Sequence, residues 1–238
     1  MDTIKISSLN KKMVAHRGVS GLEKENSLPA FIAAGNRSYF GVECDIHRTT
    51  DGKFVVIHDA ETARVAGDNL NVEKSSFDLV RSVQLNDMDG EKRKDLFIPS
   101  LEEYVKICKK YQKKCVLEIK GLFEEEWIKE VIQIITDIGY LENVIFIAFD
   151  IQNLYIVRKL LPDQPAQFLT GEWSEELLRI LGENKFALDI HFSQMNKERV
   201  DLLHANGIEV NCWTVDDKET AESLLEMGVD YITSNILE

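Results

Sequence analysis

Residues 115–149 have the sequence CVLEIKGLFEEEWIKEVIQIITDIGYLENVIFIAF, and this stretch decides the fold. Two short apolar runs, CVLEIK (115–120) and NVIFIAF (143–149), flank a segment whose acidic run Glu124–Glu126 is typical of the first turn of a solvated helix. Negative side chains there favour the positive end of the helix dipole. The stretch therefore predicts a strand, a helix and a second strand, and a right-handed crossover makes the two strands parallel.

The same alternation continues towards both termini. Further β-rich runs are MVAH (13–16), GVECDIHRT (41–49), AQFLT (166–170), KFALDIHF (185–192), EVNCWTV (209–215) and YITS (231–234). Helix start signals lie between them, as at Ser100 with Glu103 and at Asp216 with Glu219. Eight strands with intervening helices in 238 residues predict a closed TIM (β/α)8 barrel. Its eighth helix is expected to be missing or reduced to residues 235–238.

One segment interrupts the alternation after the second strand. FVVIHD (54–59) follows the turn signal Asp51-Gly52 and predicts a short strand that returns as a hairpin. From about residue 59 to residue 99 the chain is of mixed polarity, which predicts an insertion within a single domain spanning residues 1–238. Because it follows the carboxyl end of a strand, we expect this insertion to cap the mouth of the pocket and to help select the substrate.

Composition excludes several classes of function. Lys and Arg number 28 against 41 Asp and Glu, a net charge of −13, which argues against a nonspecific binder of nucleic acid or anionic membrane. The longest apolar run, residues 144–149, is far shorter than the roughly 18 residues of a membrane span. The N-terminal segment lacks the features of a secretory signal, which predicts a cytoplasmic protein. The oligomeric state stays open.

Polar residues at the strand ends of such a barrel converge on one pocket. The candidates are His16 and Arg17 after the first strand, Glu43 and Asp45 on the second, His58 after the hairpin, Glu118 and Lys120 on the third, and Trp213 on the seventh. Side chains alternate along a strand, so Glu43 and Asp45 share a face. His47 continues that face and could reach the pocket. Asp189 and His191 also share a face, and we interpret them mainly as a satisfied pair in the barrel wall.

The residue types indicate the chemistry of this pocket. Three carboxylates close together need a counter-charge, and an all-oxygen ligand set favours Mg²⁺ or Ca²⁺ over Zn²⁺. Arg17 and Lys120 add fixed positive charge, and two histidines can exchange protons near neutral pH. A divalent metal, two cations and two acid–base groups suit the cleavage of a phosphate ester.

The order of these residues carries a family resemblance. The motifs are His16-Arg17-Gly18, Glu25-Asn26-Ser27, Glu43-x-Asp45, Thr49 with Asp51-Gly52, His58-Asp59, Glu118-x-Lys120 and Trp213-Thr214. The chain resembles the glycerophosphodiester phosphodiesterases over nearly its whole length. The resemblance implies a TIM barrel of lipid and glycerol metabolism that hydrolyses glycerophosphodiesters to glycerol 3-phosphate and an alcohol. It further implies that His16 and His58 are the acid–base pair, that Glu43, Asp45 and Glu118 bind the metal, that Arg17 and Lys120 hold the phosphate, and that Trp213 forms a substrate wall.

The chain departs from the family pattern near both ends. Lys24 stands where the family commonly has proline, and no proline follows Thr233-Ser234-Asn235. We expect the second departure to affect the C-terminal tail and not the chemical residues. Two alternatives remain open, a hydrolase similar to the phosphoinositide-type phospholipases C and a noncatalytic binding protein on the same barrel.

Overall fold

The computed structural model describes residues 2–7 and 11–238. Its strands are β1 (Lys12–Ala15), β2 (Gly41–Arg48), β3 (Phe54–Val56), β4 (Gln84–Asn86), β5 (Lys92–Phe97), β6 (Lys114–Ile119), β7 (Val144–Ala148), β8 (Ala166–Thr170), β9 (Ala187–His191), β10 (Val210–Trp213) and β11 (Tyr231–Ser234). Its helices are α1 (Leu28–Gly35), α2 (Ala63–Ala66), α3 (Phe77–Arg81), α4 (Leu101–Tyr111), α5 (Glu125–Ile138), α6 (Ile151–Leu160), α7 (Glu176–Asn184), α8 (Lys197–Ala205) and α9 (Lys218–Met227).

Eight of the strands close into a parallel barrel. Around the barrel their order is β1, β2, β6, β7, β8, β9, β10 and β11, and β1 closes the ring by pairing with both β2 and β11. The TIM barrel predicted from the sequence is therefore confirmed. No helix follows β11 in the described residues, where Leu237 instead forms a bridge to Ile4. Within the same ranges, none of the helices combines the length and the apolarity that crossing a membrane requires.

The helix starts follow from local sequence. Ser100 accepts a hydrogen bond from the backbone N–H of Glu103, and the Glu103 side chain accepts one from the N–H of Ser100, so the predicted capping box of α4 is present. The predicted start of α9 was one residue early, because Asp217 caps that helix by accepting from the N–H of Thr220. Asp216 is instead committed to hydrogen bonds with Ser234 and Asn235.

Two apolar layers support the barrel. The larger layer lies between sheet and helices, where Phe31 and Tyr104 pack edge to face with ring centroids 5.0 Å apart. The smaller layer lies inside the barrel and includes Val116, Ile147 and Leu169. Because the interior is filled, only the ends of the strands can offer an open pocket.

The hairpin and insertion after β2 form a small unit of their own. Strand β3 pairs antiparallel with the end of β2, which confirms the predicted hairpin, and Ile46 lies opposite Val56. The segment that follows contains α2, α3 and the antiparallel pair β4 and β5. Its buried apolar side chains form a separate cluster with β3, including Ile57, Val65, Leu96 and Ile98.

At the amino-terminal side of the barrel, Glu238 holds the C-terminal tail against the first residues of the described chain. Its carboxylate accepts hydrogen bonds from the backbone N–H of Ser38 at 2.5 Å and from the Thr3 hydroxyl at 2.6 Å, and Lys5 Nζ lies 2.7 Å away. Burial raises the pKa of Glu238, but these partners outweigh burial and lower the pKa to about 2.

We expect Glu238→Gln to lower the free energy of unfolding at pH 7 by about 1–3 kcal/mol, because buried donors lose a charged acceptor. A pKa lowered by folding gives stability that is full above the ordinary value of 4.5 and is lost as the pH falls towards 2. The difference from wild type should therefore shrink between pH 7 and pH 3 in denaturant titrations. The matched control is Glu226→Gln at an exposed position of α9, which should change little. A difference independent of pH would contradict this explanation.

Candidate active site

Three buried carboxylates meet at the carboxyl ends of two neighbouring strands. Glu43 and Asp45 lie on β2, Glu118 lies on β6, and the register places Asp45 opposite Glu118. One oxygen from each of the three residues lies within 4.8 Å of the others. The side-by-side strands and the two-residue period together explain why acids far apart in the sequence form one cluster.

Two cations border the carboxylates. Lys120, which directly follows β6, has its Nζ 2.8 Å from Glu118 Oε1 and 3.4 Å from Asp45 Oδ1. Arg17 has its Nε 3.5 Å from Asp45 Oδ2, and its backbone N–H donates to Glu43 Oε2 at 2.7 Å. Arg17 reaches this position with a φ of 53°, a conformation that few non-glycine residues adopt.

The three acids differ in their protonation. Burial raises the pKa of Asp45, but the charges of Lys120 and Arg17 outweigh burial and lower it to about 2. Burial and the charge of Asp45 raise the pKa of Glu118 to about 8, and the same two causes raise the pKa of Glu43 well above its ordinary value. Without a metal the two cations therefore keep Asp45 ionised, whereas burial beside it favours the protonated forms of Glu43 and Glu118 at neutral pH.

A divalent cation fits this donor set. All the candidate ligand atoms are carboxylate oxygens, which hard cations such as Mg²⁺ and Ca²⁺ prefer. Asp45 Oδ1 is buried and accepts no hydrogen bond, whereas Asp45 Oδ2 accepts one from the amide of buried Asn26 at 2.7 Å. Lys120 Nζ, 3.4 Å from Asp45 Oδ1, offsets the charge of that oxygen without a hydrogen bond, so the oxygen can still bind a cation.

His16 is oriented by the C-terminal tail. Its Nδ1 lies 2.8 Å from Asn235 Oδ1, and the amide nitrogen of Asn235 donates to Asp216 Oδ2 at 2.6 Å. The amide oxygen therefore faces the ring, so Nδ1 carries the proton and Nε2 presents a lone pair. Nε2 lies 4.0 Å from Glu43 Oε2, and burial followed by the charge of Arg17 lowers the pKa of His16 to about 4. The expectation that the tail leaves the chemical residues unaffected was wrong, because Asn235 contacts His16.

His58 is oriented by a carboxylate instead of an amide. Its Nδ1 donates to Asp59 Oδ1 at 2.6 Å, and Asp59 Oδ2 accepts from Arg64 Nε at 2.6 Å. Arg64 also binds Glu25, which in turn accepts from Arg17 at 3.0 Å. Burial lowers the pKa of His58, while the charge of Asp45 and the hydrogen bond to Asp59 oppose that change. In both histidines the orienting hydrogen bond involves Nδ1, which leaves Nε2 available to a substrate.

A cavity of about 140 Å³ connects these groups. It is lined by His16, Arg17, Glu43, His58, Glu118, Ile147, Phe149, Leu169, Asp189, Trp213, Thr214 and Thr233. Trp213 forms one wall, edge to face with Phe149 at 5.6 Å and with His191 at 5.4 Å between ring centroids. A larger cavity of about 280 Å³ at the amino-terminal ends of the strands contains none of the predicted site residues.

Most of the predicted site residues therefore converge. His16, His58, Arg17, Glu43, Glu118 and Trp213 line the cavity, and Asp45 and Lys120 contact its acidic side. The insertion contacts the loop after β1 through Arg64, which binds Glu25, and Arg93, which binds Glu23, but no residue from 60 to 99 lines the cavity. The expected cap over the mouth is not seen, because the apolar side chains of the insertion pack into their own cluster.

His47 does not reach the pocket, as the sequence had suggested it could. It is buried but does not line the cavity; its Nε2 lies 3.0 Å from the backbone oxygen of His58, and its Nδ1 lies 2.9 Å from Glu73 Oε1. His47 therefore fixes the backbone that presents His58.

We expect His47→Ala to lower kcat by about 10- to 100-fold, the usual effect of losing a supporting contact, with KM nearly unchanged. The matched control is Glu73→Gln, which keeps the bond from His47 to His58 and should retain most of the activity in steady-state kinetics. An equal loss in both variants would show that the contact with Glu73, and not support of His58, is what matters.

This site defines a class of enzyme. A TIM barrel that places three acids, two cations and two histidines around one cavity has the composition of a hydrolase acting on phosphate esters.

Comparison with known proteins identifies the family. The sequence model of the Glycerophosphoryl diester phosphodiesterase family matches residues 16–237, and the chain belongs to that family and is an enzyme. A glycerophosphodiester phosphodiesterase of Caldanaerobacter subterraneus is 29% identical, with 94% of this chain and 93% of that protein covered. One from Bacillus altitudinis is 26% identical, with 93% of each covered.

Solved structures agree with the fold. A phosphodiesterase of Oleispira antarctica in complex with its product sn-glycerol-3-phosphate superposes with a TM-score of 0.86 at 23% identity, covering 98% of this chain and 96% of that one. A glycerophosphodiester phosphodiesterase of Parabacteroides distasonis superposes with a TM-score of 0.78 at 27% identity, covering 99% and 94%. The family resemblance found in the sequence is confirmed.

Proposed function

We propose that the protein hydrolyses glycerophosphodiesters to glycerol 3-phosphate and an alcohol, using a divalent metal and a pair of histidines. One observation carries the proposal: a single cavity brings the free Nε2 atoms of His16 and His58 together with a buried carboxylate cluster. These are the groups that moving a proton and stabilising negative charge on phosphorus require.

Glu43, Asp45 and Glu118 are the residues that would hold the metal. Mg²⁺ or Ca²⁺ bound there supplies Lewis acidity to a phosphoryl oxygen. Arg17 and Lys120 bind the phosphate through their charge, since both already lie at the edge of the carboxylate cluster. Trp213 forms the wall against which the apolar parts of the substrate pack.

The orienting partners assign a role to each histidine. The Nδ1–H of His16 donates a hydrogen bond to a neutral amide oxygen. Its Nε2 is therefore left as a proton acceptor, which makes His16 the general base. The Asp59 carboxylate accepts a hydrogen bond from the Nδ1–H of His58 and stabilises the positively charged ring, which makes His58 the general acid.

The proposed reaction balances its atoms and protons. His16 takes a proton from the attacking hydroxyl, which belongs to water or to the neighbouring glycerol hydroxyl, as its oxygen bonds to phosphorus. The bond from phosphorus to the leaving oxygen breaks with its electron pair, and His58 gives that oxygen a proton. When the glycerol hydroxyl attacks, the product of this step is a cyclic phosphate. Water then opens the ring as His58 takes the water's proton and His16 returns its own proton to the glycerol oxygen. The lowered pKa of His16 keeps its ring unprotonated at neutral pH, as a base requires, and the hydrogen bond to Asp59 favours the protonated ring of His58.

The decisive assay measures glycerol 3-phosphate release from the phosphocholine, phosphoethanolamine and phosphoinositol diesters of glycerol, with and without a chelator. We expect release that the chelator abolishes and that added Mg²⁺ or Ca²⁺ restores. Failure to release glycerol 3-phosphate from every member of the panel, by a folded and metal-loaded protein, would overturn the proposal.

A further inference from the structure

Asp189 is a buried acid of the cavity that the proposed reaction does not use. It lies on β9, with Leu169 of β8 and Asn211 of β10 opposite it in the register. Its side chain lines the cavity, the residue is only 2% exposed, and its Oδ1 is buried without a hydrogen bond. The interpretation of Asp189 and His191 as a satisfied pair was wrong, because His191 bonds to Ser193 instead.

The polar groups around Asp189 bond mainly to one another, although the Asn211 side chain also lies close enough to Asp189 to oppose the rise that burial causes in its pKa. The Asn211 amide nitrogen donates to Gln167 Oε1 at 3.1 Å, and the Thr233 hydroxyl donates to Asn211 Oδ1 at 3.1 Å. Among the described residues no Lys, Arg or His forms an ion pair with Asp189. A buried carboxyl oxygen with no partner costs about 1–3 kcal/mol, which a ligand that binds it would offset.

The surroundings of Asp189 indicate the kind of ligand: its register neighbours Leu169 and Asn211 are uncharged, no cation pairs with it among the described residues, and its free Oδ1 can accept a hydrogen bond from a hydroxyl. Its protonation agrees with this. Burial, followed by the charge of Glu118, raises the pKa of Asp189 well above its ordinary value, which favours the uncharged acid. An uncharged carboxylic acid both donates and accepts a hydrogen bond, as an alcohol hydroxyl does. A cationic group would instead need the ionised form.

The size of the cavity decides which part of the substrate reaches Asp189. About 140 Å³ is small beside the roughly 300–1,000 Å³ of pockets for drug-sized ligands, so one arm of the diester fits. Arg17 and Glu118 mark the phosphate end, whereas half-exposed Phe149 marks the mouth. Asp189 on β9 lies three strands around the barrel from Glu118 on β6, and apolar Leu169 lies opposite it in the register.

We propose that Asp189 is a specificity-determining residue that binds the terminal hydroxyl of the substrate's glycerol arm, the hydroxyl farthest from phosphorus. This inference rests on the proposed function, since it assumes that the glycerol arm enters the cavity and the alcohol arm points to the mouth. Asp189 thus favours substrates whose phosphate carries glycerol over those that carry a shorter or deoxygenated group in its place. It does not discriminate between the alcohols on the other side of the phosphate.

The test compares two esters with the same nitrophenol leaving group. One carries glycerol, and the other carries propane-1,2-diol, which lacks only the terminal hydroxyl and keeps the neighbouring one. In the wild type we expect kcat/KM to favour the glycerol ester by about 10- to 100-fold, the range for losing a hydrogen bond to a buried polar group. Asp189→Leu should lose that preference by slowing the glycerol ester only. Asp189→Asn, which can still donate and accept, should keep most of it.

Asp163→Asn, at an exposed position before β8, is the matched control and should behave as wild type. Calorimetric binding of glycerol 3-phosphate, against propane-1,2-diol 1-phosphate, supplies a readout independent of turnover and should show the same loss of preference in Asp189→Leu. An unchanged preference in that variant overturns the assignment of Asp189. Absence of turnover for both esters in the wild type overturns the proposed function, and the binding measurement then decides the role of Asp189 alone.

Discussion

Asp45→Ala is expected to lower kcat/KM for glycerophosphodiesters by about 10³-fold or more, and to remove tight binding of a divalent cation. Metal stabilisation of a phosphoryl oxygen contributes several kcal/mol to the transition state, and each 1.4 kcal/mol corresponds to about tenfold in rate. Asp45 is the central ligand candidate, because its pKa of about 2 keeps it ionised and both cations lie beside it. Activity and calorimetric metal titration measure the two losses together.

Glu43→Ala and Glu118→Ala should show the same pair of losses. The control is Glu124→Ala, because Glu124 is exposed just before α5 and makes no capping hydrogen bond there. Full turnover by the wild type after exhaustive chelation would contradict a metal-dependent reaction. Equal effects of Glu124→Ala and Asp45→Ala would mean that the site has been misplaced.

Stability separates loss of the metal from loss of the fold. Burial and the charge of Asp45 raise the pKa of Glu43, so the ionised form destabilises the metal-free protein. Glu43→Gln should therefore retain or increase the free energy of unfolding without metal while abolishing activity. A variant that is more stable and inactive is hard to explain by misfolding.

The core of the site could be predicted because its residues obey local rules. Glu43 and Asp45 lie two residues apart on one strand, so their common direction follows from the alternation of side chains. Glu118 joins them because parallel strands of a barrel end at the same face. The fold follows equally from repeated strand and helix units, each with its own apolar pattern.

The contacts that orient the histidines could not be predicted in this way. Asn235 is 219 positions from His16, and no periodicity links a C-terminal tail to the first strand. The pair formed by Asp59 and Arg64 depends on how the insertion folds, and mixed polarity indicates an insertion without giving its shape. Asp189 was misjudged because the pattern of a strand shows which face a side chain takes but not whether it has a partner.

His58→Ala and His16→Ala are each expected to lower turnover of an unactivated glycerophosphodiester by about 10²- to 10⁴-fold, the usual contribution of general acid–base catalysis. KM should change less, because Arg17 and Lys120, the proposed phosphate ligands, keep their positions beside Asp45 and Glu118. Metal content and the midpoint of thermal unfolding must stay near the wild-type values for the comparison to hold. His204→Ala, on α8 and paired with Asp230, is the matched control and should retain full activity.

A change of leaving group separates the two histidines. Nitrophenolate leaves without needing a proton, so a nitrophenyl ester should restore most of the rate of His58→Ala, which lacks the acid. It should not restore His16→Ala, because the attacking hydroxyl must still lose its proton whatever group leaves. The reverse result would exchange the two roles, in conflict with the amide on His16 and the carboxylate on His58. If both variants keep near-normal turnover of the unactivated ester, the histidines are not the acid–base pair.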